Sequence, residues 1–216
     1  LDIPSRAEFF ETIKPYLLDV EEVYFAGGEA LLTEAHYKVL DYWLSKNHTN
    51  VRLRYTTNFS KLNLGNQQII DYWKQFKDVH VYASLDGMGE RAEYLRKSKV
   101  GWQEIEENRR TLMKECPHVI FNIQSTISLI NVWHFPDFHR SWVEKGLLEP
   151  ENVFVGLVTN PSYLSIQNLP VGFKHEVKEK YDKHTLWLQS LDLNEKKKQK
   201  LNARIDEHIR PVCVHM

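Results

Sequence analysis

The sequence is poor in cysteine: 216 residues hold two, Cys116 and Cys213. Two thiols cannot build the dense disulfide framework of a small secreted protein. Nor can they supply the four ligands of a structural zinc site or the thiolates of an iron–sulfur cluster. A dominant charge sign is missing too. The 28 basic and 29 acidic residues leave a net charge of −1, so no global field recruits nucleic acid or an anionic membrane. No apolar run reaches the roughly 18 residues of a membrane span, and no signal peptide opens the chain. A cytoplasmic protein without nucleic-acid or membrane partners is expected. An initiating methionine is also lacking, so the reading expects the chain to begin part-way through a larger product. What is present is the ordinary composition of a folded protein, 42% hydrophobic and 26% charged.

Hydrophobic periodicity predicts alternating helices and strands. Residues 2–18 read as a helix with Ser5 as N-cap and Glu8 completing a capping box. Strands are expected at 21–26, 51–57, 79–85, 119–127 and 153–158. Helices are expected between them at 34–46, 67–76, 102–114 and 136–145, the last closed by Gly146. Such alternation argues for parallel strands joined by right-handed crossovers, in a doubly wound sheet or an open barrel. After Pro161 the pattern changes to two long helical stretches, 173–191 and 195–209. The expected organisation is therefore an α/β domain over 1–160 and a helical C-terminal extension over 161–216. The lysine run at 196–200 reads as a solvated helix face.

Ligands of parallel α/β folds bind at the carboxyl ends of the strands, so the polar residues there carry the functional reading. The first strand runs into Gly27-Gly28-Glu29, a pair that permits close backbone approach with a carboxylate behind it; a tight turn explains the glycines equally well. The second ends in Thr56-Thr57-Asn58, where Asn58 is either a ligand contact or a turn residue. The third ends in Ser84-Leu85-Asp86-Gly87, whose hydroxyl and carboxylate suit a ribose or another polyol. Glu90, Glu93, Tyr94 and Arg96 follow as a charged loop, with Arg96 set to clamp a carboxylate or to pair with Glu93. Asn122, Gln124 and Thr126 alternate along the fourth strand, a polar row that implies a wet or ligand-filled interior. His134 and His139, five apart, do not share a helical face, so no two-histidine metal site is expected. Trp43, Trp73, Trp102 and Trp142 are assigned to helix–sheet packing.

Taken in order, strand-Gly-Gly-Glu, strand-Thr-Asn, and strand-Ser-Leu-Asp-Gly followed by Glu-Tyr-Leu-Arg and a Trp-bearing helix resemble the radical S-adenosylmethionine superfamily. The similarity is to its peptide- and protein-modifying branch with SPASM or twitch extensions, over about residues 5–160. It implies a partial (β/α)6 TIM-like barrel whose first strand is missing from this chain, plus a twitch-like remnant. It also implies cofactor-binding roles: Gly27, Gly28 and Glu29 at the methionine ammonium, Ser84 at ribose or carboxylate, and Arg96 at the methionine carboxylate. Asn58, Asp86 and Gln124 match cavity-facing positions, and Leu157 or Val155 an adenine contact. The implied cofactors are S-adenosylmethionine and a [4Fe–4S] cluster; the implied partners are a peptide or protein substrate and an electron donor. The family's CxxxCxxC cluster loop is not in this sequence, and its ligands are expected upstream of Leu1. The alternative is a degenerate, cluster-less barrel acting as a non-catalytic peptide- or nucleotide-binding module. A hydrolase or phosphate-loop enzyme ranks last, since neither a Gly-x-Ser-x-Gly elbow nor a phosphate loop occurs.

Overall fold

The computed structural model describes residues 6–97 and 100–216. Ser5 and the start of the first helix therefore lie outside the described residues. The fold is α/β, with a parallel five-strand sheet and crossover helices, the layout of a partial TIM-like barrel. Two compact units divide the chain: residues 1–83 with 104–121, and residues 84–103 with 122–216.

In the first unit, helix α1 (Arg6–Ile13) gives way to a 3-10 turn at Lys14–Tyr16, because Pro15 restricts the residue before it and offers no N–H. Strand β1 (Glu22–Phe25), helix α2 (Glu34–Ser45) and strand β2 (Arg52–Thr57) follow. Next come a two-residue hairpin, β3 (Asn63–Leu64) with β4 (Gln67–Gln68), helix α3 (Ile69–Trp73) and strand β5 (Asp78–Ala83). The hairpin replaces the first two residues of the helix expected from Gln67. Its turn needs Gly65 at φ +56°, and Leu62 accepts from the N–H of Ile69 to seat the shortened helix (2.9 Å). β1 pairs parallel with β2, and β2 with β5, in the register Tyr24–Arg54–His80.

Period-two patterning sets the two faces of these strands. Leu53, Tyr55 and Thr57, with Val79, Val81 and Ala83, are buried with Trp43, Trp73 and Phe76. The four tryptophans assigned to helix–sheet packing, Trp43, Trp73, Trp102 and Trp142, are all buried. The other face is polar where a closed barrel would stack branched apolar side chains. Arg52 joins Glu22 (3.2 Å) to Asp78 (2.6 Å), while Arg54 pairs with Glu22 (3.1 Å) and stands 5.4 Å from both the Tyr24 and Tyr82 rings.

In the second unit, residues 89–96 form helix α4 (Gly89–Arg96), not the charged loop expected from their composition. Helix α5 (Trp102–Glu115) starts here and continues in the first unit. Strand β6 (Ile120–Ile127), helix α6 (Phe135–Glu144) and strand β7 (Val153–Leu157) follow, β6 and β7 pairing parallel from Ile123 onward. Residues beyond 161 are helical: α7 (Val171–Gln189), α8 (Glu195–Arg204) and α9 (Arg210–Val214). Between α8 and α9 lies a π turn, Ile205–Ile209, where a plain helix is expected. Pro211 has no N–H to donate at α spacing, and the wider turn absorbs the mismatch. That turn aims His208 at the backbone of Val155 on β7 (3.2 Å to the carbonyl oxygen). Among the described residues no helix is long and apolar enough to cross a membrane.

Helices α6 and α7 meet at two buried histidines, His139 Nδ1 lying 3.0 Å from His184 Nε2. Burial disfavours their charged forms, lowering His139 to about 4 and His184 to about 2; His36 in the first unit is lowered to about 3 for the same reason. Their unfolded value is about 6.5, so unfolding takes up protons below that pH, and the histidine contribution, full above it, is lost on acidification. Stability from urea melts is therefore expected to fall steadily from pH 7 to pH 5. A flat profile over that window would contradict the buried neutral assignment.

Candidate functional site at the strand carboxyl ends

In the first unit, the chain leaves β1 through Gly27 (φ +82°) and Gly28 (φ +56°), both exposed. A Cβ at either would meet no atom within 4 Å, so glycine answers the backbone angle rather than crowding. Glu29 then ties two strand ends together. Its Oε1 accepts from the Thr57 hydroxyl (2.6 Å) and its Oε2 from the Asn58 N–H (2.8 Å). Thr57 Oγ1 in turn accepts from the Phe59 N–H (2.9 Å), in a loop where Phe59 takes φ +57°. The Asn58 side-chain carbonyl is used inside its own turn, accepting from the Ser60 N–H (2.9 Å) and hydroxyl (2.6 Å). Gly27, Gly28, Glu29 and Asn58 thus come together. Thr57, invisible as a site residue in the sequence, is what aims the Glu29 carboxylate. Each oxygen of that carboxylate retains lone-pair capacity for a further donor.

In the second unit, β5 has already ended at Ala83, so Ser84 and Asp86 lie in the following loop and the expected strand alternation does not apply to them. Ser84 is half-buried, while Asp86 is buried. Asp86 Oδ1 accepts from the Thr126 N–H (2.8 Å) and Oδ2 from Arg96 Nε (2.6 Å). Arg96 therefore pairs with Asp86 rather than Glu93, whose Oε1 instead caps α5 at the Trp102 N–H (2.7 Å). The polar row of β6 is split: Gln124 and Thr126 are exposed, but Asn122 is buried. Leu157 is half-buried at the end of β7.

A cavity of about 510 Å³ opens beside this loop, lined by Asp86, Tyr94, Thr126, Ser128, Asn131 and Val158 among others. Its size falls within the range of small-ligand pockets. Of the cofactor-binding residues expected in this unit, Asp86 lines it, as do Glu93, Tyr94 and Thr126 of the polar residues noted beside them; Ser84, Arg96, Gln124 and Leu157 do not. Gly87 is fixed by packing, since a Cβ there would stand 3.0 Å from the His134 ring, which accepts from the Met88 N–H (3.1 Å).

The thiols stand apart from these groups. Cys116 is buried against the Ile70 carbonyl (3.5 Å) with its pKa raised by burial, and burial pushes Cys213 up to about 11. Among the described residues no group of three or more His, Cys, Asp or Glu side chains is placed to hold a metal ion.

No protein-family model and no curated protein matches the chain. Solved structures do. Native anSMEcpe with bound AdoMet and Cp18Cys peptide superposes with a TM-score of 0.58 at 16% identity, covering 84% of this chain and 52% of that one. The same protein with AdoMet alone, and with AdoMet and Kp18Cys peptide, gives 0.57 at 16% identity. The chain therefore shares its fold with these AdoMet-bound structures. The chain spans about half the length of these solved structures.

The Glu29 tie yields a direct expectation. Glu29→Ala strips the Thr57 hydroxyl and the Asn58 N–H of their acceptor, at a cost of about 0.5–1.5 kcal/mol. Chemical denaturation of the variant should show a loss in that range, and wild-type stability would refute the strut.

Proposed function

We propose that this chain is the S-adenosylmethionine-binding part of a radical S-adenosylmethionine enzyme acting on a peptide or protein. The carrying observation is the pair of exposed positive-φ glycines backed by the Glu29 carboxylate, on a fold shared with an AdoMet-bound structure. In this reading Gly27, Gly28 and Glu29 take the methionine ammonium through backbone carbonyls and carboxylate, with Asn58 shaping the adjoining loop. In the second unit, taken by itself, Asp86 suits ribose hydroxyls within the 510 Å³ cavity, since its two oxygens hold lone pairs beyond those used by Thr126 and Arg96. Ser84, Arg96, Gln124 and Leu157 stand outside the lining of that cavity, Arg96 being paired with Asp86, so no contact with a ligand there is assigned to them. Bound S-adenosylmethionine supplies a sulfonium-activated carbon–sulfur bond. The chain's own residues orient the cofactor and shield it from water.

A [4Fe–4S] cluster does not fit the described residues. Two thiols held protonated by burial are neither the right number nor in the right state for ligation. No radical step is assigned to these residues, and they are expected to bind the cofactor without cleaving it. The same thiol placement favours, as the second reading, a cluster-less module that binds a nucleotide or peptide without chemistry. The peptide partner is supported by the peptides bound in the anSMEcpe structures.

Isothermal titration of the chain with S-adenosylmethionine should give saturable one-to-one binding. Gly28→Val, which forces a β-branched residue to positive φ, should weaken it about tenfold or more while circular dichroism remains native. Absence of binding by the wild type would remove the proposal. Binding unchanged in the variant would remove the assigned ammonium site.

A further inference from the structure

The loop that carries Asp86 is gripped at successive residues by the segment running from β6 into α6. The Ser125 hydroxyl donates to the Leu85 carbonyl, the Thr126 N–H to Asp86 Oδ1 (2.8 Å), and the Met88 N–H to His134 Nε2 (3.1 Å). Asn131 stands at the centre of this grip and is 1% exposed. Its Nδ2 donates to the Asp86 carbonyl and to the Thr126 carbonyl, both at 2.9 Å. Its Oδ1 accepts from the Ser128 N–H (2.7 Å) and hydroxyl (3.2 Å). Every hydrogen-bonding capacity of one side-chain amide is thus spent on three residues, Asp86, Thr126 and Ser128, that all line the 510 Å³ cavity.

We propose that Asn131 is the positioning residue of this cavity: it sets, through the backbones of Asp86 and Thr126, where their side chains stand for a bound nucleoside ligand. The inference rests on the S-adenosylmethionine reading of the same cavity. The geometry separates two jobs within the amide. Nδ2 locks two chain segments 40 residues apart, whereas Oδ1 only closes the local turn at Ser128. Asn131→Asp keeps an acceptor for Ser128 but replaces the Nδ2 donor with a second oxygen facing two carbonyls. Asn131→Ala removes both functions. A residue that merely stabilised the turn would tolerate aspartate and fail with alanine. A positioning residue acting through Nδ2 fails with both.

The experiment is titration of S-adenosylmethionine into the wild type and both variants, with thermal unfolding followed in parallel. Weakening of about tenfold or more is expected in each variant, of the order of one lost buried hydrogen bond to a ligand-facing group. Native binding by either variant overturns the proposal while leaving the cofactor reading intact. No binding by the wild type overturns the cofactor reading itself, and this proposal with it. Should the variants not fold, amide hydrogen exchange of the wild type decides. The ligand is expected to slow exchange at the Thr126 N–H, which is bonded to Asp86 Oδ1, and exchange there unchanged at ligand saturation overturns the proposal.

Discussion

Where a parallel strand ends, its hydrogen-bond ladder ends too, and the backbone of the next loop must find partners elsewhere. This chain meets that constraint with side chains set at neighbouring strand ends. In the first unit a carboxylate does it: Glu29, just past β1, accepts from the backbone and hydroxyl that close β2. In the second unit an amide does it: Asn131 donates to the carbonyls of Asp86 and Thr126. Both ties fix loops that leave polar groups at the carboxyl ends of the strands, where parallel α/β folds hold their ligands. The same interactions that satisfy the loop backbones also fix where these polar groups stand.

The polar face of β1, β2 and β5 follows a related logic. Its bottom row, Glu22, Arg52 and Asp78, satisfies its charges internally, and Arg54 lies between two tyrosine rings. Exposed pairs of this kind add little to stability, because solvent screens them. Their consequence is orientational: a face that is ordered yet hydrated, beside the Gly27–Glu29 turn at the end of β1.

The α/β alternation was legible because β2 and β5 carry strict period-two patterns, and buried Leu53, Tyr55, Val79 and Val81 declare one face of each. The glycine turn at 27–28 was legible because few residues accept positive φ. Helix α4 was not, since its sequence GERAEYLR buries only Ala92 and offers no apolar stripe. The β3–β4 hairpin has strands of two residues, too short for any period to register. The partner of Arg96 was misread for a different reason. Glu93 is three residues away in sequence, but it is consumed by the Trp102 N–H, and Asp86 is delivered by the loop fold. Thr57, Asn131 and His134 carried no signal of these roles because each acts on a group 28 to 46 residues away, the Glu29 carboxylate, the Asp86 carbonyl and the Met88 N–H respectively. Single residues whose role is to hold a distant group carry no local signature.

The central claim is that the strand-end loops of this chain hold S-adenosylmethionine. A crystal structure of the chain grown with S-adenosylmethionine tests it most directly. The account predicts the methionine ammonium within hydrogen-bond reach of the Gly27–Glu29 backbone and carboxylate. Ligand bound away from those residues, with the Gly27–Glu29 turn empty at saturating concentration, would contradict it.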